Sequence, residues 1–317
     1  MKKCLVALCI IAALLLTACS RAQPSQTSNA AGIPDQTENA ATPPEESHTI
    51  DTMAQMADID DVLSVTAQSF STSVSDVVAY RVLYQSANGK LAADVVLPSD
   101  YTQANRHYPV LIYFPEININ IDSLAYYALN RVIVIRPYAR GYGESEGVRD
   151  LGGPRDLADA QKLLQIFDQA SFIARSKVFV AGSSEGSITA LRLIAEDTAH
   201  RISGCAIVDA ITDLHAMGVA RGEGVQNLLE ALIGSSYEEA PEEYELRSAV
   251  TFSEKLNRPL FILHYLQNPL SFVEQTDGLY ALLSGNADCL YRKMDARLSD
   301  FSGEGQQWLI AWMREYA

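Results

Sequence analysis

The chain has 317 residues, 48% of them hydrophobic, enough to bury the core of one or two globular domains. Its 39 acidic residues outnumber its 24 basic ones, giving a formal net charge of −15. That balance repels polyanions, which argues against nucleic acid as a partner and against electrostatic adsorption to anionic lipid.

Met1 to Ser20 reads MKKCLVALCIIAALLLTACS: two lysines, an apolar run from Leu5 to Leu16, and a small-residue site ending in a cysteine. This is the pattern of a secretory signal whose apolar run is short for a membrane span. Leu16-Thr17-Ala18-Cys19 resembles the lipobox of bacterial lipoproteins. The resemblance implies a signal peptide over residues 1–18, lipid attachment at Cys19, and an extracytoplasmic location in which the lipid makes the membrane contact. Cleavage there removes Lys2 and Lys3 and takes the net charge to about −17. Residues 19–50 are rich in Ser, Thr, Pro, Gln, Ala and Glu, which predicts a disordered tether. Residues 51–73 read as transitional. Of the five cysteines, Cys205 and Cys289 alone lie in the body of the chain, in or beside apolar runs, so free thiols are expected rather than a disulfide. No cysteine and histidine cluster has zinc spacing, and neither a metal nor a cofactor is expected.

From about residue 74 the pattern becomes globular. Val77 to Tyr84 and Leu91 to Leu97 read as two strands joined through Asn88-Gly89, a strong hairpin signal. Val110-Leu111-Ile112-Tyr113-Phe114 is a buried strand, Ile121 to Asn130 a short helix, and Arg131 to Ile135 another buried strand. A glycine-rich loop runs from Arg140 to Gly153. An amphipathic helix over 156–169 follows, with Leu157, Ala160, Leu163, Leu164 and Phe167 on one side. Asp150, Asp156 and Asp159 lie at its start, where they favour the helix dipole and read as structural.

Lys177 to Glu196, KVFVAGSSEGSITALRLIAE, is the stretch on which the chemistry turns. An apolar strand, a Gly182-Ser183-Ser184-Glu185-Gly186 turn and a helix make a nucleophile elbow. Ser184 sits on the strained turn, and Gly182 and Gly186 let strand and helix approach each other closely. Beyond it, Gly204 to Val208, Pro259 to His264 and Asp288 to Met294 read as strands. Phe272 to Leu283 and Gly305 to Tyr316 read as helices. Residues 213–247 form an acidic helical insertion, read as a solvated cap or as a lid preferring cationic ligands. The whole predicts one doubly wound α/β domain over residues 74–317, opened by an antiparallel hairpin.

The elbow, the loop Arg140-Gly141-Tyr142-Gly143-Glu144-Ser145 and the strand Pro259-Leu260-Phe261-Ile262-Leu263-His264 together resemble the α/β-hydrolase superfamily. The likeness runs from about residue 75 to 316 and is greatest to the prolyl-oligopeptidase group and related secreted esterases. It implies serine-hydrolase chemistry on a peptide or ester, with a triad in the order Ser, Asp, His. Ser184 takes the nucleophile position. The acid position falls on Asn268 and the histidine position on Ser299. None of the five histidines, His48, His107, His200, His215 and His264, follows the last predicted strand. The oxyanion donors implied are the backbone N–H groups of Glu185 and Glu116, although Pro115-Glu116-Ile117-Asn118 replaces the family's His-Gly-Gly-like turn.

A serine hydroxyl without a base is a poor nucleophile near neutral pH. The groups that could replace the base are His215 in the cap, His264 at a strand end, and the carboxylates of Glu116 and Glu185. Their structural readings are a cap-surface histidine, a packed histidine and solvated charges. The sequence therefore predicts a weak or inactive hydrolase whose pocket binds a small peptide or ester-like ligand. The alternative is an active serine hydrolase that uses Ser184 with a non-standard base.

Overall fold

The computed structural model describes residues 50–71, 74–103, 106–115, 120–298 and 300–317. The signal peptide and Cys19, nearly all of the tether, Glu116 and Ser299 lie outside the described residues. Nine strands form one sheet: β1 (Val62–Gln68), β2 (Val77–Ser86), β3 (Gly89–Pro98), β4 (Tyr108–Phe114), β5 (Ile133–Pro137), β6 (Ile173–Ser183), β7 (Ile202–Val208), β8 (Leu260–Tyr265) and β9 (Cys289–Met294), in spatial order 1-2-3-5-4-6-7-8-9. The first three strands and the β3–β5 pair are antiparallel, and β5 through β9 run parallel.

The predicted hairpin is present, with Ser86 opposite Gly89 and the ladder continuing to Val77 opposite Pro98. The segment read as transitional is part of the same body. Residues 62–68 form the edge strand β1, and a short 3-10 turn, Ala54–Asp58, precedes it. Met53 and Met56 of this segment are fully buried. The domain therefore opens near residue 50, with three antiparallel strands where two were expected.

The interior parallel strands, β4 to β8, are buried on both faces, which is why they read as unbroken apolar runs rather than alternating ones. In β4, Val110 and Ile112 join one core while Leu111 and Tyr113 join the other; in β6, Val178 and Val180 oppose Phe179 and Ala181 in the same way. Helices α2 (Pro154–Phe167), α3 (Gly186–Ala195) and α7 (Val273–Leu282) cover the first face through Leu163, Leu191 and Leu279. Helices α1 (Ile121–Leu129) and α8 (Glu304–Glu315) cover the second through Tyr127, Leu309 and Trp312. The Asn120 side chain caps α1 by accepting from the Asp122 N–H at 3.1 Å.

The acidic insertion is three helices, α4 (Leu214–Arg221), α5 (Glu223–Ile233) and α6 (Pro241–Glu245). Leu214, Met217, Leu229 and Tyr244 pack there with Ile188 of α3 and Leu151 of the glycine-rich loop, forming a third, small core. The loop itself is pinned by buried charge. Asp94 in β3 is fully buried and ion-paired to Arg81 and Arg136, and the Tyr138 hydroxyl donates to it at 3.1 Å. Arg140 reaches Asp159 of α2 at 2.7 Å. Cys205 and Cys289 are free thiols, the first buried and the second partly so.

Candidate active site

The strand order places a reactive residue before any side chain is considered. Parallel strands diverge where the order reverses, between β4 and β6, and ligands collect at the C-terminal ends of the strands beside that point. Ser184 is the first residue past the end of β6, and its neighbour Gly182 is paired with Phe114 of β4 on one side and Ile207 of β7 on the other.

Ser184 has φ +48°, a left-handed conformation that costs a non-glycine residue about 1–3 kcal/mol. Its own backbone bonds hold it there. The Ser184 N–H donates to Val208 O at 3.0 Å, and the Ser184 carbonyl accepts from Ser187 N–H at 3.2 Å and Ile211 N–H at 3.4 Å. The Ser187 hydroxyl donates to the same carbonyl. The two glycines are required by contact. A Cβ on Gly182 would lie 2.5 Å from Gly186 O, and one on Gly186 would lie 2.0 Å from Phe114 O. The turn therefore fits the chain only with glycine at both positions.

Among the described residues, no side chain hydrogen-bonds the Ser184 hydroxyl, and no acceptor pairs with the Glu185 N–H at the start of α3. An N–H at a helix start, one residue past the elbow serine, is where an oxyanion donor belongs. The Glu185 carboxylate is engaged elsewhere. It forms an ion pair with Arg149 of the glycine-rich loop, and Arg149 in turn donates to the Tyr142 hydroxyl at 3.1 Å and lies over that ring at 5.4 Å. A carboxylate held by a guanidinium is a weak base, so Glu185 is poorly suited to activate the serine.

At the acid corner the structure brings three residues together. Asn268 is buried, and its amide donates to Asp209 Oδ2 at 2.7 Å while its Oδ1 accepts from Leu270 N–H at 3.0 Å. Asp209 ends β7 in a left-handed conformation, φ +48°, and its Oδ1 accepts from Tyr265 N–H at 2.8 Å. His264 Nδ1 lies 3.4 Å from the same oxygen and 3.2 Å from the Thr276 hydroxyl. Burial lowers the His264 pKa, against the opposing pull of the Asp277 carboxylate, which favours the neutral imidazole. His264 is thus a packed histidine on the α7 side of β8.

Asp209 is the residue that sequence reasoning passed over. The signal was available, since a lone acid closing the apolar run Cys205-Ala206-Ile207-Val208 sits at the C-terminal end of a parallel strand. His215 is placed in the cap, its ring stacked on Tyr237 at 3.7 Å.

A cleft with a cavity volume of about 70 Å³ opens beside the elbow, walled by Tyr84, Phe114, Tyr138, Asp156, Glu185 and Gly186 among others. Within it the Asp156 carboxyl is pushed up to about 6 by burial, with Asp150 and Asp159 adding like charge; it accepts from the Gly152 N–H at 2.9 Å. Among the described residues there is no group of three or more His, Cys, Asp or Glu able to hold a metal ion, and no helix long and apolar enough to cross a membrane.

No protein-family model matches the chain. It is 22% identical over 138 residues to the uncharacterized peptidase YtmA of Bacillus subtilis strain 168, a stretch covering 44% of this chain and 52% of that relative, so the match spans about half of the relative's length. Among solved structures it superposes on the acetyl xylan esterase from Paenibacillus sp. R4 with TM-score 0.64 at 14% identity, covering 83% of this chain and 91% of that one. It also superposes on dipeptidyl peptidase 4 of Porphyromonas gingivalis with TM-score 0.61 at 18% identity, covering 76% of this chain and 36% of the other. An acylaminoacyl peptidase matches with TM-score 0.61 at 13% identity, over 76% of this chain and 41% of that one.

Proposed function

We propose that this chain, whose sheet and helices are those of the α/β-hydrolase fold, is a peptidase- or esterase-like protein of prolyl-oligopeptidase type that binds its ligand beside Ser184 and hydrolyses it weakly or not at all. The observation that carries the reading is a nucleophile without a partner among the described residues. The elbow keeps its strained backbone, yet no described side chain takes a proton from Ser184, and no histidine follows β9 anywhere in the sequence. In serine proteases, losing the histidine alone costs on the order of a million-fold in turnover and leaves roughly a thousand-fold over water. The Asp209 and Asn268 pair supports the reading from the other side, since its oxygens and amide are spent on one another and on backbone N–H groups.

The ligand is a small peptide or ester-like molecule held in the cleft beside the elbow, where aromatic walls supply contact area and Asp156 supplies one polar anchor. The leader pattern and the lipobox-like Cys19 support a location outside the cytoplasm on a lipid anchor.

The test is labelling of the purified protein with a fluorophosphonate probe, beside Ser184→Ala. No labelling of folded protein, together with ligand-induced stabilisation that a bulky substitution in the cleft such as Ala160→Phe abolishes, is the expected result. Labelling that vanishes in Ser184→Ala would instead establish an active serine hydrolase with a non-standard base. The retained elbow favours that second reading, and His264 beside Asp209 would then be the first histidine to replace.

A further inference from the structure

The cap contains a second cavity, separate from the cleft at the elbow. It has a volume of about 200 Å³ and is lined by His215, Gln226, Glu230, Tyr237, Glu238 and Tyr244 among others. Two of its walls are tyrosine rings set at right angles, Tyr237 and Tyr244, with centroids 5.6 Å apart and an interplanar angle of 85°. The Tyr244 ring is fixed by its hydroxyl, which donates to Ser235 O at 3.0 Å, and the Tyr237 ring is backed by His215 stacked at 3.7 Å. Two carboxylates belong to the same cavity. Burial raises the Tyr244 pKa, the charges of Glu230 and Glu238 raise it further and that of Arg247 opposes them, which places both carboxylates and this one arginine within electrostatic reach of the ring.

Aromatic faces are negative at their centres and attract cations within about 6 Å. Elsewhere in this protein the chain's own cations meet that demand. Arg81 and Arg136 flank Tyr138, Arg149 lies over Tyr142, Arg292 over Trp308 and Lys293 over Tyr291. Among the described residues, no lysine or arginine lies over Tyr237 or Tyr244, and none forms a salt bridge with Glu230 or Glu238. Arg247, which could have done so, is paired with Asp150 and Glu243. Two perpendicular aromatic walls and two carboxylates without a salt bridge among the described residues, around one cavity, are the complement of a cation with an apolar skin.

We propose that this cap cavity is a binding site for an organic ammonium ion, with Tyr237 and Tyr244 facing the alkyl groups and Glu230 and Glu238 supplying the counter-charge. A quaternary ammonium and the primary amine of a diamine or lysine share this chemistry, and they differ in whether ring contact or carboxylate hydrogen bonding contributes more. The site is independent of whether Ser184 turns over a substrate.

The test uses the full-length protein in titration calorimetry at low salt with three probes: choline, 1,5-diaminopentane, and 3,3-dimethylbutan-1-ol, the uncharged isostere of choline. Saturable binding of at least one cation is expected, with a dissociation constant on the order of 1 mM, weakening as sodium chloride is raised, and with the neutral isostere roughly tenfold weaker. Tyr237→Leu should weaken the cation about fivefold or more. Glu238→Gln, an exposed change that leaves the fold alone, should weaken it several-fold and flatten the salt dependence. Preference for choline would identify the quaternary class and preference for the diamine the primary class. The proposal is overturned if neither cation binds folded protein, if the isostere binds as well as choline, or if Tyr237→Leu and Glu238→Gln both leave binding unchanged.

Discussion

The elbow at the end of β6 and the corner formed by the ends of β7 and β8 lie next to each other and are built on opposite principles. At the elbow, shape is enforced and chemistry is left open. Ser184 is held in a left-handed turn by backbone bonds and by two glycines that leave no room for a Cβ, while its hydroxyl has no described partner. At the corner, chemistry is closed. Asp209, Asn268 and the Tyr265 N–H satisfy one another, and His264 sits against them with its pKa lowered by burial. The elbow can therefore persist for packing reasons alone, whereas an acid and base pair must be kept free and aimed. A nucleophile motif found in a sequence reports on the first requirement and says nothing of the second.

The largest effect should come from breaking the elbow's shape. Gly186→Ala puts a methyl group against the Phe114 carbonyl, a backbone atom that cannot rotate away, and should cost about 3 kcal/mol or more. Urea unfolding, or failure to recover folded protein, would register it; a loss below about 1 kcal/mol would mean the strand end gives way. Asp94→Ala, which removes the buried carboxylate that Arg81 and Arg136 share and leaves Arg81 its pair with Glu144, should cost about 3 kcal/mol by the same measurement and leave the elbow itself unchanged.

A smaller effect is set by pH. The Asp156 carboxyl has a folded-state pKa of about 6 against 3.8 as its ordinary value, so folded protein holds its proton more tightly than unfolded chain does. The stability this gives is present in full below about pH 4 and is lost as pH rises through about 6, a fall of roughly 2–3 kcal/mol. Asp156→Asn should remove that fall, leaving the variant more stable than the parent at pH 8 and little different at pH 4. Parallel curves at both pH values would disprove the assignment. The smallest effect separates backbone from hydroxyl. Ser184→Gly relieves the left-handed strain and should stabilise by about 1 kcal/mol, whereas Ser184→Ala keeps φ and should change stability little.

Much of the fold was legible because parallel strands buried on both faces leave unbroken apolar runs, as in Val110 to Phe114 and Val178 to Ala181, and because Asn88-Gly89 marks its own turn. Strand β1 was not. Val62–Gln68 is an edge strand with a single buried side chain, Val62, so its apolar pattern is faint, and Met53 and Met56 enter the core from a 3-10 turn without a helical period. Within the site, Ser184 could be read from its spacing alone. The partnerships of Asn268 with Asp209, 59 residues apart, and of Glu185 with Arg149 belong to tertiary packing and leave no periodic trace.

Ile50 carries a mechanical consequence. It pairs with Ala170 just before β6 begins, donating to Gln169 O at 3.0 Å while its carbonyl accepts from Ser171 N–H at 2.7 Å. Force arriving through the preceding chain would therefore enter at the foot of β6, an interior strand of the sheet, roughly 30 Å along that strand from Ser184. A pull there would load the foot of β6, at the end of the strand opposite the elbow.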